Sequence, residues 1–310
     1  MKIVFFGTPN IAAAILKRLI ESEHEVIALV TQPDRGSGRG KAVQYSPAKK
    51  TALAADIPVL QPERVSDEAF LEELRALNAD LHVVAAYAQK IPNAILEMTP
   101  LGCINVHPSL LPRYRGATPL NAAILNGDDV SGVTVMKMAE EMDAGDILLQ
   151  GEIRLSPTET VRTLEQKAIE LGGELLLETI KGLRENTIRP VKQDDTLSTY
   201  VKQIRKEDGR IDFAALGAAV IERMIRAYEP WPGTYTYLDG KVFKIQEATV
   251  MPSESEALPG QVVFADKECI GIQTAEGILV PTVVQLEGKK SMAIGEFLRG
   301  KKIEQGYIFG

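Results

Sequence analysis

The chain has 310 residues, enough for two domains of ordinary size, with 45% hydrophobic and 25% charged residues, the balance of a globular protein with a real core. Its apolar runs, such as residues 81–86, are strand-length and far short of the roughly 20 residues that span a bilayer. A net charge of −7 does not mark a nucleic-acid binder by bulk electrostatics, and 14 basic against 15 acidic side chains in 199–310 leave only local patches for RNA.

The opening run Met1–Gly7 reads as a buried strand, with neither the cleavage site of a secretory signal nor the Arg-rich composition of a transit peptide. Cys103 and Cys269 lie far apart without metal-type spacing, which fits a reducing compartment. The expected location is the cytoplasm.

Short strands then alternate with helices. Helical spacing begins at Asn10 with Pro9 near its start, a second strand covers 25–31, and helices are expected over 46–55 and 66–77, the latter with Ser66 as N-cap. Further strands follow at 81–86, 102–106, 132–138 and 146–155, then a helix from Thr160 to about Gly182. This pattern predicts an α/β fold: a Rossmann-like, mostly parallel sheet with helices on both faces.

Residues 189–205 are polar and irregular and read as a linker. Beyond them, a helix at 214–228 and strands at 234–238, 242–248, 260–264, 270–274 and 278–286 predict a C-terminal small β-barrel, OB-like, with a hairpin signal at Asp239-Gly240. The expected division is 1–188, a linker at 189–205, and 206–310.

Only three histidines are present. His24 sits between a helix and a strand and is expected on the surface. His82 lies inside a buried strand, where a packed histidine is the better reading. His107 follows the strand 103–106, ahead of the extended loop Pro108-Ser109-Leu110-Leu111-Pro112. Asn105 alternates with it along the strand, so both side chains can face one side at the carboxyl end, where open α/β sheets bind ligands. Asp143, in the turn 140–146, would lie on the same rim, although Asp before a glycine turn is ordinary local chemistry.

An amide and an imidazole can both donate to a carbonyl oxygen as it becomes negative, and a neighbouring carboxylate favours a charged imidazole. With no serine or cysteine nucleophile beside His107 other than Ser109 in the loop, direct acyl or formyl transfer is the natural chemistry. The few histidines form no metal-ligand cluster. The loop after the second strand, 33–41, is glycine-rich but is not the dinucleotide fingerprint, which follows the first strand. Residues 35–50 hold five basic side chains and no acidic one, suited to phosphate or an unpaired RNA end as much as to a solvated surface. Pro230-Trp231-Pro232 reads as a rigid packed corner.

The run Asn105-x-His107-Pro108-Ser109-Leu110-Leu111-Pro112-x-Tyr114-Arg115-Gly116, with Asp143-x-Gly145-Asp146 downstream, resembles the signature of the 10-formyltetrahydrofolate-dependent formyltransferases. Gly7-Thr8-Pro9, the 33–41 loop and Pro230–Gly233 extend the resemblance over both domains.

The resemblance implies that Asn105, His107 and Asp143 are catalytic. It implies that Ser109, Leu110, Leu111 and Pro112 line a folate site, and that Tyr87, Ile91 and Met142 lie near the pterin ring. Its tRNA-specific branch carries a basic loop at this point, which assigns Arg35, Arg39 and Lys41 to tRNA and gives the C-terminal barrel a second RNA surface. The implied reaction moves the formyl group of 10-formyltetrahydrofolate, a co-substrate, to the methionine of initiator methionyl-tRNA. No metal or membrane takes part, and the expected state is a monomer. The alternatives are a formyltransferase acting on an amino-sugar nucleotide, or an inactive RNA-binding module.

Overall fold

The computed structural model describes residues 1–37 and 42–310. Seven strands form the first sheet: β1 (Lys2–Gly7), β2 (Glu25–Val30), β3 (Val59–Leu60), β4 (Leu81–Ala85), β5 (Cys103–His107), β6 (Val130–Lys137) and β7 (Ile147–Arg154). Their order is β7-β6-β5-β4-β1-β2-β3. The pairs from β3 through β5 are parallel, whereas β6 runs antiparallel to β5 and β7 antiparallel to β6. The mostly parallel sheet expected from the alternation is present.

Strands β1, β4 and β5 are buried along their length except at Lys2, because helices cover both faces. Val4, Phe6, Val30 and Val84 pack on one face with Phe70, Leu71 and Leu74 from the helix Glu68–Ala76. On the other face, a Cβ at Gly172, in the long helix Val161–Glu185, would lie 3.1 Å from Val106 and 3.4 Å from Ile15. Each fully buried aromatic or aliphatic side chain here contributes about 1.5–3 kcal/mol relative to exposure.

Several sequence expectations are corrected. The helix expected at 66–77 starts at Glu68 with Asp67 as N-cap, not Ser66, and that cap makes no side-chain hydrogen bond. Ser46 does cap the helix Pro47–Ala54, accepting from Lys49 N at 3.2 Å. His24, expected on the surface, is buried. His82 is fully buried, Nδ1 lying 3.2 Å from the carbonyl of Ile95 and the ring meeting Phe6 edge-on.

Two compact units emerge. The first comprises 1–119, 130–154 and 165–201; the second comprises 120–129, 155–164 and 202–310. The stretch expected as a linker, 189–205, is tied into the first unit as far as Val201. Val191 exchanges both backbone hydrogen bonds with Ile147, and Tyr200–Val201 pairs in parallel with Arg115–Gly116. Composition gave no sign of this, since the ladder uses backbone groups that any side chains would supply.

In the second unit, β8 (Thr234–Leu238), β9 (Lys241–Met251), β10 (Val262–Ala265), β11 (Ile270–Gln273) and β12 (Ile278–Leu286) form an antiparallel sheet of order β8-β9-β12-β11-β10, with Met292–Ala293 paired to β12. Phe243, Ile245, Ile272, Leu279 and Val284 line one core, closed by Ile221 and Ile225 of the helix Ala218–Tyr228 and by Phe297. The outer edges are flanked by other chain segments: Ile211 N donates to Tyr235 O, and Val262 N to Tyr307 O, both at 2.8 Å. This is the partly open, five-stranded, barrel-like domain that the short strands predicted.

Residues 120–129 and 155–164 join this unit through side chain to carbonyl hydrogen bonds. Asn121 Nδ2 donates to Ala227 O at 2.6 Å, Arg223 Nε to Leu125 O at 2.9 Å and Arg226 Nη1 to Glu159 O at 2.7 Å. Trp231, expected in a packed corner, is 57% exposed, and the turn is held instead by its backbone, with Gly233 N donating to Tyr228 O.

Candidate active site

Strand β5 ends on His107 at the carboxyl edge of the parallel sheet, in register with Thr134 of β6. Asn105, two residues earlier, shares its face of the strand, and both side chains are buried, at 8% and 4% exposure. The carboxamide of Asn105 has no hydrogen-bond partner among the described residues. A buried amide without a protein partner is a donor in reserve.

His107 is fixed by its surroundings. Nε2 lies 2.9 Å from the carbonyl oxygen of Tyr114, and a carbonyl only accepts, so Nε2 carries the proton and donates. The remaining nitrogen, Nδ1, faces Asp143 Oδ2 at 3.7 Å. That carboxylate oxygen also accepts from Gly116 N at 2.8 Å, which fixes its direction. The fold thus brings Asp143 to His107, with Asn105 on the same face of the strand two residues earlier.

Two local features allow this approach. Asp143 adopts a left-handed conformation (φ 51°), which Asp tolerates better than most side chains. Gly145 could hold no other residue, since a Cβ there would stand 1.7 Å from Lys137 O.

The loop after His107 is braced by Thr134, whose hydroxyl donates to Ser109 O at 2.6 Å and accepts from Leu111 N at 3.1 Å. Gln150 Nε2 donates to the same hydroxyl and to Leu111 O, each at 2.8 Å. Ser109 Oγ donates to Arg113 O at 2.7 Å, which turns the hydroxyl into the loop rather than toward a ligand. Leu111 is buried, Leu110 packs where a side chain on Gly132 would otherwise stand, and Pro112 is half-buried.

The other expected site residues are more scattered. Tyr87 is half-buried against Phe6, ring to ring at 5.7 Å, and burial raises its phenol to about 12. Ile91 is buried but borders a cleft lined by Ser66, Lys90, Pro92, Asn93 and Glu140. Met142 is 67% exposed on the turn that carries Asp143. Arg35 is exposed at the start of a two-strand ladder, Gly36–Ser37 with Ala42–Val43, while Arg39 and Lys41 lie outside the described residues.

The base of that ladder is anchored. Lys49 Nζ pairs with Asp34 and donates to Gln61 Oε1 at 2.6 Å, and the Lys49 hydrogen bond holds the Asp34 carboxyl below its usual range. Among the described residues no group of His, Cys, Asp and Glu is arranged to hold a metal ion, and no helix is long and apolar enough to cross a membrane.

Sequence reasoning missed the supports. Tyr114 acts through its carbonyl, and Gln193 and Thr199 lie in the supposed linker. The one available signal was Arg115, a charged residue buried at 1% exposure, which demands partners; Gln193, Asp195 and Tyr200 supply them.

Known proteins carry the same arrangement of domains. The model of the formyl transferase family matches residues 1–180, and that of the formyl transferase C-terminal domain matches 203–302. The chain belongs to the formyl transferase family. Within it, the chain is 49% identical over 315 residues to methionyl-tRNA formyltransferase of Lachnospira eligens, covering 100% of each. It is 45% identical to the enzyme of that name from Caldanaerobacter subterraneus subsp. tengcongensis, covering 99% of each.

Among solved structures, an N-formyltransferase from Helicobacter canadensis in complex with folinic acid and dTDP-3-aminofucose shares the fold with a TM-score of 0.66 at 21% identity, over 91% of this chain and 98% of that one. HypX from Aquifex aeolicus, in complex with tetrahydrofolic acid, shares it with a TM-score of 0.65 at 19% identity, over 98% of this chain, which spans 48% of that protein.

Proposed function

We propose that this chain transfers the formyl group of 10-formyltetrahydrofolate to the α-amino group of methionine esterified to initiator tRNA, acting as a monomer in the cytoplasm. The reading is supported by end-to-end likeness to methionyl-tRNA formyltransferases combined with a free Asn105 amide beside a fixed His107–Asp143 pair.

The amine nitrogen attacks the formyl carbon, forming a C–N bond while the carbonyl electrons move to oxygen. Asn105 donates to that oxygen, where charge develops, and His107 adds a second donor from Nδ1 when its ring carries both protons, Nε2 staying on the Tyr114 carbonyl. The amine proton leaves through Asp143, directly or by one water. Collapse of the adduct breaks the bond between the formyl carbon and the folate nitrogen, which takes a proton, and tetrahydrofolate departs. Ser109–Pro112 supply backbone and apolar surface for the folate, with Tyr87, Ile91 and Met142 near its ring. Arg35, Arg39 and Lys41 meet the acceptor end of the tRNA, and the C-terminal domain (206–310) adds a second RNA surface to the catalytic domain (1–188).

The test is a discontinuous assay with formylated folate and three acceptors: initiator methionyl-tRNA, elongator methionyl-tRNA and an amino-sugar nucleotide. Formylation confined to initiator methionyl-tRNA supports the reading. Transfer to the sugar nucleotide alone overturns the substrate, and no transfer to any acceptor overturns the activity.

A further inference from the structure

We propose that the segment 191–201 is a positioning strap for the catalytic pair, with Gln193 and Thr199 as its two working residues; this rests on His107 and Asp143 being the reactive groups. Gln193 is 5% exposed, and its amide orientation is forced. Its Oε1 accepts from Arg115 Nε at 3.1 Å and Nη2 at 2.8 Å, groups that only donate. Its Nε2 therefore faces two acceptors, donating to the backbone carbonyls of Asp143 at 2.8 Å and Gly145 at 2.7 Å. One side chain thus grips both sides of the left-handed turn that aims the Asp143 carboxylate.

Thr199 acts on the other partner. Its Oγ1 accepts from Tyr114 N at 2.8 Å, and the Tyr114 carbonyl is the group that fixes His107 Nε2. Thr199 O accepts from Arg115 N at 2.8 Å, and the pairing of 200–201 with 115–116 continues the clamp. At Gly116 a Cβ would stand 2.2 Å from Val201 O, so the two segments are as close as backbone permits. Arg115 joins the two grips, bonding Gln193 on one side and Tyr200 and Asp195 on the other at 3.0 and 2.7 Å. The imidazole and the carboxylate are separate in sequence, and the strap sets both from one rigid piece.

Thr199→Val removes an acceptor at an exposed position, and Gln193→Leu removes both grips at nearly constant volume. Each is expected to lower kcat for formyl transfer by roughly 10–100-fold, as a misplacement of about an ångström does, with KM for folate and for methionyl-tRNA within about twofold. Thr199→Ser, which restores the hydroxyl, is expected to recover the rate. Without any substrate, the ring signals of His107 in imidazole NMR should move in Thr199→Val while those of His24 and His82 stay in place. Unchanged kcat in folded Thr199→Val overturns the proposal, as does a loss that Thr199→Ser fails to recover. If the wild type transfers formyl to no acceptor, the functional reading fails by itself, and stationary His107 signals would then be what overturns the strap. If Gln193→Leu does not fold, Thr199→Val decides alone.

Discussion

The carbonyl oxygen of Tyr114 takes the Nε2 proton of His107 at 2.9 Å, and this one bond decides which ring nitrogen serves the site. Nδ1 is left facing Asp143. A histidine free to flip could present either nitrogen. This one presents the same nitrogen to every substrate.

Removing the ring should therefore act on the rate and not on assembly. His107→Ala is expected to lower kcat by roughly 10²–10³-fold, the usual cost of one oxyanion donor, with folate binding by equilibrium dialysis unchanged. Near-normal turnover would remove His107 from the mechanism.

Asp143 does two jobs that substitutions separate. Asp143→Asn keeps an oxygen for Gly116 N but loses the charge and the proton acceptor. We expect a loss of roughly 10²-fold or more in single-turnover rate, in the range of acid–base contributions. Asp143→Ala should be worse, because the turn also loses its tie to Gly116.

Acid should unfold the first unit in a defined window. Burial lowers the His82 imidazole from 6.5 to about 4, whereas the unfolded chain binds the proton near 6.5. Between those values the unfolded state holds more protons, so stability is full above pH 6.5 and falls as pH drops toward 4, by on the order of 3 kcal/mol. Burial lowers His24 in the same direction. Urea midpoints against pH should show this slope, and His82→Leu should flatten it; an unaltered slope would locate the acid sensitivity elsewhere.

Thr134 is a structural prediction. Thr134→Val strips the partner of Ser109 O and of Leu111 N at once, and unsatisfied buried groups cost about 1–3 kcal/mol each. A lowered urea midpoint that Thr134→Ser restores is the expected pattern.

The basic loop is tested by deletion. Without residues 35–41, transfer to tRNA should vanish while folate still binds, because Asp34, Lys49 and Gln61 anchor the loop's base and not the catalytic residues. Undiminished formylation of tRNA would leave Arg35, Arg39 and Lys41 without their proposed role.

The parts of this molecule that rest on periodicity were readable in advance. The strand carrying Asn105 and His107 and the short strands of the C-terminal domain announce themselves through apolar runs and turn residues. The convergence of Asp143 on His107 came from a motif, since nothing local distinguishes that Asp from an ordinary turn former. Backbone groups were invisible: the Tyr114 carbonyl, the Gly116 N–H and the pairing of 200–201 with 115–116 belong to the chain and not to any side-chain code. Gln193 was hidden for a related reason, being one polar residue in a polar stretch whose burial depends on a fold already formed. Trp231 failed oppositely, since an aromatic between prolines suggests packing, yet here the backbone packs and the ring stays in water.

The central claim is that His107 and Asp143 work as one unit. A double-mutant cycle of formyl transfer to initiator methionyl-tRNA, read as single-turnover rates for His107→Ala, Asp143→Asn and both together, addresses it directly. Residues acting together are non-additive, so the double variant should lose clearly less than the product of the two single losses. Losses that multiply would show two independent groups and contradict the account.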